Sequence, residues 1–184
     1  MKRVFLSSVL LLGIIVWSSF SISSPTLEAG KSINWISLEE AAALSEKKPK
    51  MIMVDIYATW CGYCKKMDKT TFTHPEVVKY INEHFYAVKL DAEEKNTLNF
   101  AGQEYKYIRN GKSGMNQLAM ELMDGTDGML PTIVMLDKEL KIKSQIPGYQ
   151  SPRDMDMLMH YFGEDYYKKV KWGIFKMNYR PRIK

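Results

Sequence analysis

The chain has 184 residues, with 26 Lys and Arg against 21 Asp and Glu and two cysteines. That length suits one ordinary domain, and a formal net charge of +5 is too mild for a nucleic-acid binder. Cys61 and Cys64 stand three apart, so a bridge between them closes too small a loop to staple a fold, and the pair reads as chemical rather than structural.

Lys2 and Arg3 precede an uncharged run over residues 4–17, small polar residues to Ser24, and Pro25. This is the layout of a secretory signal peptide over residues 1–24, with Ser21-Ile22-Ser23 placing cleavage near Ser23. The alternative is an uncleaved anchor, because residues 4–24 just reach across a bilayer. Either way the remaining chain is expected outside the cytoplasm. Without residues 1–24 the balance is 24 basic against 21 acidic residues, a soluble protein of mixed surface charge. Its 160 residues can bury a sizeable core without disulfides.

Residues 25–32 read as a leader, residues 33–162 as the folded domain and residues 163–184 as an extension. Ser37 with Glu40 forms a capping box that predicts a helix over 38–47. The apolar run 51–57, interrupted only by Asp55, predicts a buried central strand. A helix over 60–68 follows, then a second piece from His74-Pro75 that Thr73 is placed to cap. Residues 85–90 are the next strand. Leu98 and Phe100, with Tyr105 and Tyr107, predict a small hairpin about Ala101-Gly102-Gln103. Residues 111–114 read as a turn. Met115, Leu118, Ala119 and Leu122 predict a helix over 115–123. Strands over 132–136 and 140–146 come next, the second ended by Pro147-Gly148. Met155, Leu158, Met159 and Phe162 mark a closing amphipathic helix. Strand–helix–strand, then hairpin and helix, gives a mixed sheet covered on both faces, an α/β class.

Trp60-Cys61-Gly62-Tyr63-Cys64-Lys65 sits where a strand hands over to a helix. Amide groups at a helix start stabilise negative charge, so Cys61 there ionises more readily, and the thiolate is the nucleophile. Cys64, one turn further in, is placed to attack a mixed disulfide on Cys61. Zinc needs four ligands, and only His74, His84 and His160 supplement the pair. No metal or cofactor is expected. Met155, Met157 and Met159 read as core packing rather than a copper site.

Asp55 lies in an apolar strand six residues before Cys61, on the side shared by Tyr57 and Thr59. A buried acid has a raised pKa and can take the proton from Cys64. Lys89 in the next strand is placed to modulate it. Leu130-Pro131-Thr132 opens a strand, where Pro is allowed. A cis bond there would bring the backbone of Leu130 beside the cysteines. Only about one X–Pro bond in twenty is cis, so the residues alone favour a trans turn.

Val54-Asp55, Tyr57-Ala58, Trp60-Cys61, Cys64-Lys65 and Pro131-Thr132 together resemble the thioredoxin superfamily over nearly all of 33–162. The stretch 55–75, with Thr71-Phe72 before His74-Pro75, looks most like the C-terminal domain of the disulfide interchange protein DsbD and related exported thioredoxin-like proteins. Gly62-Tyr63 is similar to the dipeptide of the periplasmic disulfide isomerase DsbC. The resemblance implies a thioredoxin-like fold with an insertion between Leu90 and Pro131. It implies Cys61 as attacking and Cys64 as resolving cysteine, Asp55 as the buried acid and Pro131 as a cis-proline. Trp60, Leu130, Pro131 and Gly148 complete the candidate substrate-contacting set. The expected activity is thiol-disulfide exchange with exported, periplasmic proteins, in the reducing direction, restored by an upstream thiol reductant that is soluble or membrane-bound. The competing readings are a non-catalytic partner-binding module and a disulfide isomerase or oxidase. The extension carries Lys168, Lys169, Lys171, Lys176, Arg180, Arg182 and Lys184, with Trp172, Phe175 and Tyr179 on one helical face. It is expected to pack as an extra helix with a solvated basic side; the alternative is docking to an acidic partner or lipid surface.

Overall fold

The computed structural model describes residues 32–183, so the signal segment and all but the last residue of the leader lie outside the described residues. The chain enters through a two-residue strand β1 (Trp35–Ile36). Helix α1 (Leu38–Lys47) follows, capped by the Ser37 hydroxyl, which accepts from the Glu40 amide at 3.0 Å. Strand β2 (Met51–Tyr57) leads to α2 (Gly62–Thr70) and α3 (Pro75–His84), and then to β3 (Phe85–Asp91). Two hairpins come next, β4 (Leu98–Phe100) with β5 (Gln103–Tyr105), and β6 (Tyr107–Asn110) with β7 (Ser113–Asn116). Helix α4 (Gln117–Leu122), strands β8 (Thr132–Leu136) and β9 (Ile142–Pro147), and helix α5 (Pro152–Gly163) complete the sheet and its covering. A 3₁₀ turn (Tyr166–Lys168) and helix α6 (Trp172–Asn178) end the described chain.

The main sheet has the order β1-β3-β2-β8-β9. β1 and β2 run parallel to β3, while β8 is antiparallel to both β2 and β9. Strand alternation sends Met53, Ala87, Ile133 and Met135 to one face, where they pack with α3 and α5. Ile52, Val54, Ile56, Val88, Val134 and Leu136 go to the other, against α1 and α4. Each fully buried Val, Leu, Ile or Met among these contributes about 1.5–3 kcal/mol of transfer free energy. A mixed sheet with helices on both faces is the thioredoxin-like plan expected from the pattern.

Several local expectations are corrected. The helix after β2 starts at Gly62 rather than Trp60, because Cys61 is the cap residue, with extended backbone. Thr73 does not cap α3. Its hydroxyl donates to the Lys69 carbonyl at 2.8 Å, and His74 is the cap residue without a side-chain bond. The turn at 111–114 is the tip of a second hairpin, so Met115 belongs to β7 and α4 starts two residues later than its apolar spacing implied. β9 begins at Ile142, after a turn in which Leu140 has φ +62°.

Candidate active site

β2 is the central strand of the sheet, and its carboxyl end delivers the chain to Ala58 and the start of α2. The Cys61 amide donates to the Ala58 carbonyl at 3.1 Å, fixing the turn that makes Cys61 the cap of α2. Cys61 and Cys64 are joined by a disulfide. The Cys64 amide donates to the Cys61 sulfur at 3.1 Å, so one of the orphan amides of the helix start is aimed at that atom. Exposure distinguishes the two sulfurs little, Cys61 being 5% exposed and Cys64 2%. The asymmetry between them is the amide, together with the exposed neighbours of Cys61, Trp60 and Gly62. Ala58, Cys61 and Cys64 form one small apolar cluster, against which Tyr57 and Leu130 pack.

Leu130 therefore comes beside the cysteines from a distant part of the sequence. The Leu130–Pro131 bond is cis, where the residues alone had favoured trans and the family resemblance had implied cis. The Gly148 amide donates to the Pro131 carbonyl at 2.7 Å, and Gly148 holds φ +86°, which glycine alone adopts without steric cost. The Thr132 hydroxyl donates to the Met129 carbonyl at 2.6 Å. The N–H and C=O of Leu130 itself have no backbone hydrogen bond among the described residues. Trp60, Tyr63 and Met129 are exposed.

Asp55 is buried on the α2-facing side of the sheet, in register with Lys89 of β3 and Ile133 of β8. Its Oδ2 lies 3.4 Å from the Lys89 amino group, and its Oδ1 has no hydrogen-bond partner among the described residues. Burial pushes the carboxyl up to about 7; Lys89 opposes that shift, and the negative charge of Asp68 adds to it. Lys89 also bonds Asp68 of α2, so one ammonium bridges the two carboxylates. The rings of Tyr57, Trp35 and Phe72 surround that ammonium at 5.0, 5.2 and 5.5 Å from their centres. Asp68 was not singled out from the sequence. The available signal was its spacing: it stands four residues after Cys64, hence on the same helix face one turn on.

His84 and His160 pack elsewhere, and His74 is the cap residue of α3. His84 stacks on Tyr80 with ring centres 4.1 Å apart, and His160 is buried in α5, its Nδ1 2.8 Å from the Asp156 carbonyl oxygen. No cluster of three or more His, Cys, Asp or Glu able to hold a metal ion occurs among the described residues. Met155, Met157 and Met159 belong to the core cluster.

A family model described as a thioredoxin-like domain matches residues 38–163. The thiol:disulfide interchange protein DsbD of Pseudoalteromonas atlantica is 31% identical over 83 residues, which is 45% of this chain and 14% of that protein. The DsbD of Escherichia coli is 51% identical over 37 residues, 20% of this chain and 6% of its own length. The matched region thus covers only a small part of these curated relatives. Among solved structures, a thioredoxin-fold protein from Helicobacter pylori superposes with a TM-score of 0.55 at 18% identity, covering 81% of this chain and 88% of that one. A thioredoxin from Thermus thermophilus gives 0.51 at 18% identity, over 73% and 93%. The fold, the cysteine pair at the start of α2 and the family match over most of the length agree, and the chain belongs to the thioredoxin-like domain family.

Proposed function

We propose that this chain is a thiol-disulfide oxidoreductase that reduces disulfides in exported proteins through Cys61 and Cys64. The observation that carries the reading is the Cys64 amide directed at the Cys61 sulfur at the start of α2. In the dithiol state that amide and the helix start favour a thiolate on Cys61. The thiolate attacks a substrate disulfide, forming a mixed disulfide and expelling the first substrate thiolate. Cys64 then gives up its proton, with Asp55 as the acceptor, and attacks the Cys61 sulfur. The second substrate thiol leaves, the substrate has gained two electrons, and the Cys61–Cys64 disulfide remains, the form in which the pair stands here. A carboxyl that titrates at about 7 and has an unpartnered oxygen suits the acceptor role.

The unpaired backbone of Leu130 supports binding of an extended substrate segment by strand-like pairing, flanked by Trp60, Pro131 and Gly148. Lys89 and Asp68 set the charge around Asp55. The reducing direction is supported by the absence of a cation between the cysteines, since Gly62 and Tyr63 leave the Cys61 thiolate only modestly stabilised. It is supported also by similarity to part of DsbD. A thiol donor must return two electrons to the pair after each cycle. The export reading, with a periplasmic location, rests on the sequence of residues 1–24.

Cysteine trapping tests the roles. Cys61→Ser abolishes reduction of insulin disulfides. Cys64→Ser retains the first attack and accumulates mixed disulfides that thiol reductants release. Trapping by Cys61→Ser but not by Cys64→Ser would reverse the assignment, and a parent protein inert toward insulin yet able to hold one partner would make it a binding module.

A further inference from the structure

Helix α6 turns Phe175 into the core and packs half-buried Trp172 and Tyr179 beside it. The opposite face presents Ile174, 49% exposed, and Met177, 71% exposed, one turn apart. Two large apolar side chains on the outward face of a short helix are not explained by its packing. Lys169, Lys171, Lys176 and Arg180 flank them along the chain, all exposed, and none is in a salt bridge among the described residues. The Arg180 guanidinium donates to the Met177 carbonyl at 3.3 Å, which fixes a cation beside the most exposed apolar side chain. The acids of the extension are engaged elsewhere: Asp165 pairs with Lys168 at 2.8 Å, and Glu164 accepts from Tyr80 at 3.5 Å. At the start of α6 an open groove of about 440 Å³ is lined by Tyr167, Lys168, Lys169, Lys171 and Trp172. Exposed apolar side chains among exposed cations, beside a basic aromatic groove, are the layout of a surface that seats anionic headgroups and dips its apolar residues below them.

We propose that the outward face of α6, with this groove, docks on an anionic lipid bilayer. A soluble acidic protein would satisfy the cations but gives no reason for Ile174 and Met177 to stand outward among them. The placement of the chain fits a bilayer as well. Ile33, at the start of the described chain, lies in the same apolar cluster as Phe175 and Ile183. The Ser32 carbonyl is held by Asn82 of α3 at 2.9 Å. The described chain thus enters the domain on the side of the sheet that carries α6, and were residues 1–24 an uncleaved anchor, α6 would be held on the membrane side. Docking there would keep a dithiol protein near membrane-borne partners.

The test reads α6 directly, so that membrane attachment through residues 1–24 does not obscure it. The full chain is exposed to hydrogen peroxide alone, with zwitterionic phosphatidylcholine vesicles, and with vesicles containing phosphatidylglycerol. Oxidation of each methionine is followed by mass spectrometry, with half-exposed Met120 and Met129 as internal references. The expected result is oxidation of Met177 slowed several-fold by phosphatidylglycerol vesicles only, with Met120 and Met129 unchanged. Each cation near an anionic surface strengthens partitioning by about fivefold. The double variant Lys171→Glu with Lys176→Glu, both at exposed positions, therefore loses the protection at matched lipid concentration. Unchanged Met177 oxidation with phosphatidylglycerol, or equal protection by both kinds of vesicle, overturns the proposal. Protection by soluble polyglutamate but by neither vesicle also overturns it and assigns the face to an acidic protein.

Discussion

The Asp55 carboxyl titrates at about 7 because desolvation outweighs the attraction of Lys89. An unfolded Asp titrates near about 3.9, so folding favours the protonated form. That stabilisation is complete below the unfolded value and is lost as the pH rises through the folded one. Over that window the oxidised protein should lose about 4 kcal/mol of stability, at about 1.4 kcal/mol per pKa unit. Asp55→Asn should abolish this slope in urea denaturation measured from pH 4 to 8, and should slow product release by the dithiol form near neutral pH. Matching pH profiles for parent and variant would remove Asp55 from the proton-transfer role. At this scale the sequence was informative where a residue broke a pattern. Asp55 interrupts an apolar strand, and the paired cysteines sit at a strand-to-helix junction. Asp68 breaks no pattern, lying among Lys65, Lys66 and Lys69 on a helix that reads as solvated, so its link to Lys89 became visible only once β3 was placed beside β2.

Elements with a strong period were legible and those built on turns were less so. The central strands, α1 and α5 follow directly from alternation and helical spacing. The hairpin β4–β5 was read from its flanking apolar residues, and Ala101 and Gly102 supply the left-handed pair that a two-residue turn of this kind needs. The hairpin β6–β7 was missed because Met115 continued an apolar helical stripe, although Asn110-Gly111 is a hairpin signal and Gly111 has φ +61°. The hairpin β6–β7 attaches, through the segment after β3, at the carboxyl end of β2, the edge that carries the cysteines, while Asn99 of β4 donates its amide to Glu39 of α1 at 3.3 Å. The Ala92 amide donates to the Tyr57 carbonyl, and the Asn116 amide to the Ala92 carbonyl, each at 2.8 Å. Asn116 is fully buried; its side-chain amide donates to the carbonyls of Glu94 and Asn96, and its Oδ1 accepts from the Leu118 amide at 3.0 Å. Asn116→Ala leaves these groups unsatisfied and should cost about 1–3 kcal/mol. Amide exchange should accelerate across residues 92–118, while insulin reduction persists. Unaltered exchange there would mean that the insertion is held by other contacts.

For the whole molecule, the family-like core was legible from the spacing of its helices and strands, whereas the depth of the tail's attachment was not. α5 is buried nearly all round, with Asp156, His160 and Tyr161 inside as well as its apolar stripe, because the tail covers its far side. Tyr179 donates to Asp156 at 3.2 Å, the Arg182 amide does so at 2.9 Å, and Phe175 packs against Tyr161, Tyr166, Trp172 and Tyr179. The spacing of Trp172, Phe175 and Tyr179 marked the helix, but a seven-residue helix carries no sign of which partners its apolar face meets. Phe175→Ala should cost about 3–5 kcal/mol and lower the denaturation midpoint of tail and sheet together. An unchanged midpoint for the sheet would show that the tail unfolds separately. The central claim is that Cys61 and Cys64 form a reducing couple, and it is tested most directly by equilibrating the protein with glutathione buffers and measuring its reduction potential. With one amide and no intervening cation on the Cys61 thiolate, the account predicts a value near the roughly −270 mV of thioredoxin. A value near the roughly −120 mV of the oxidant DsbA would contradict it.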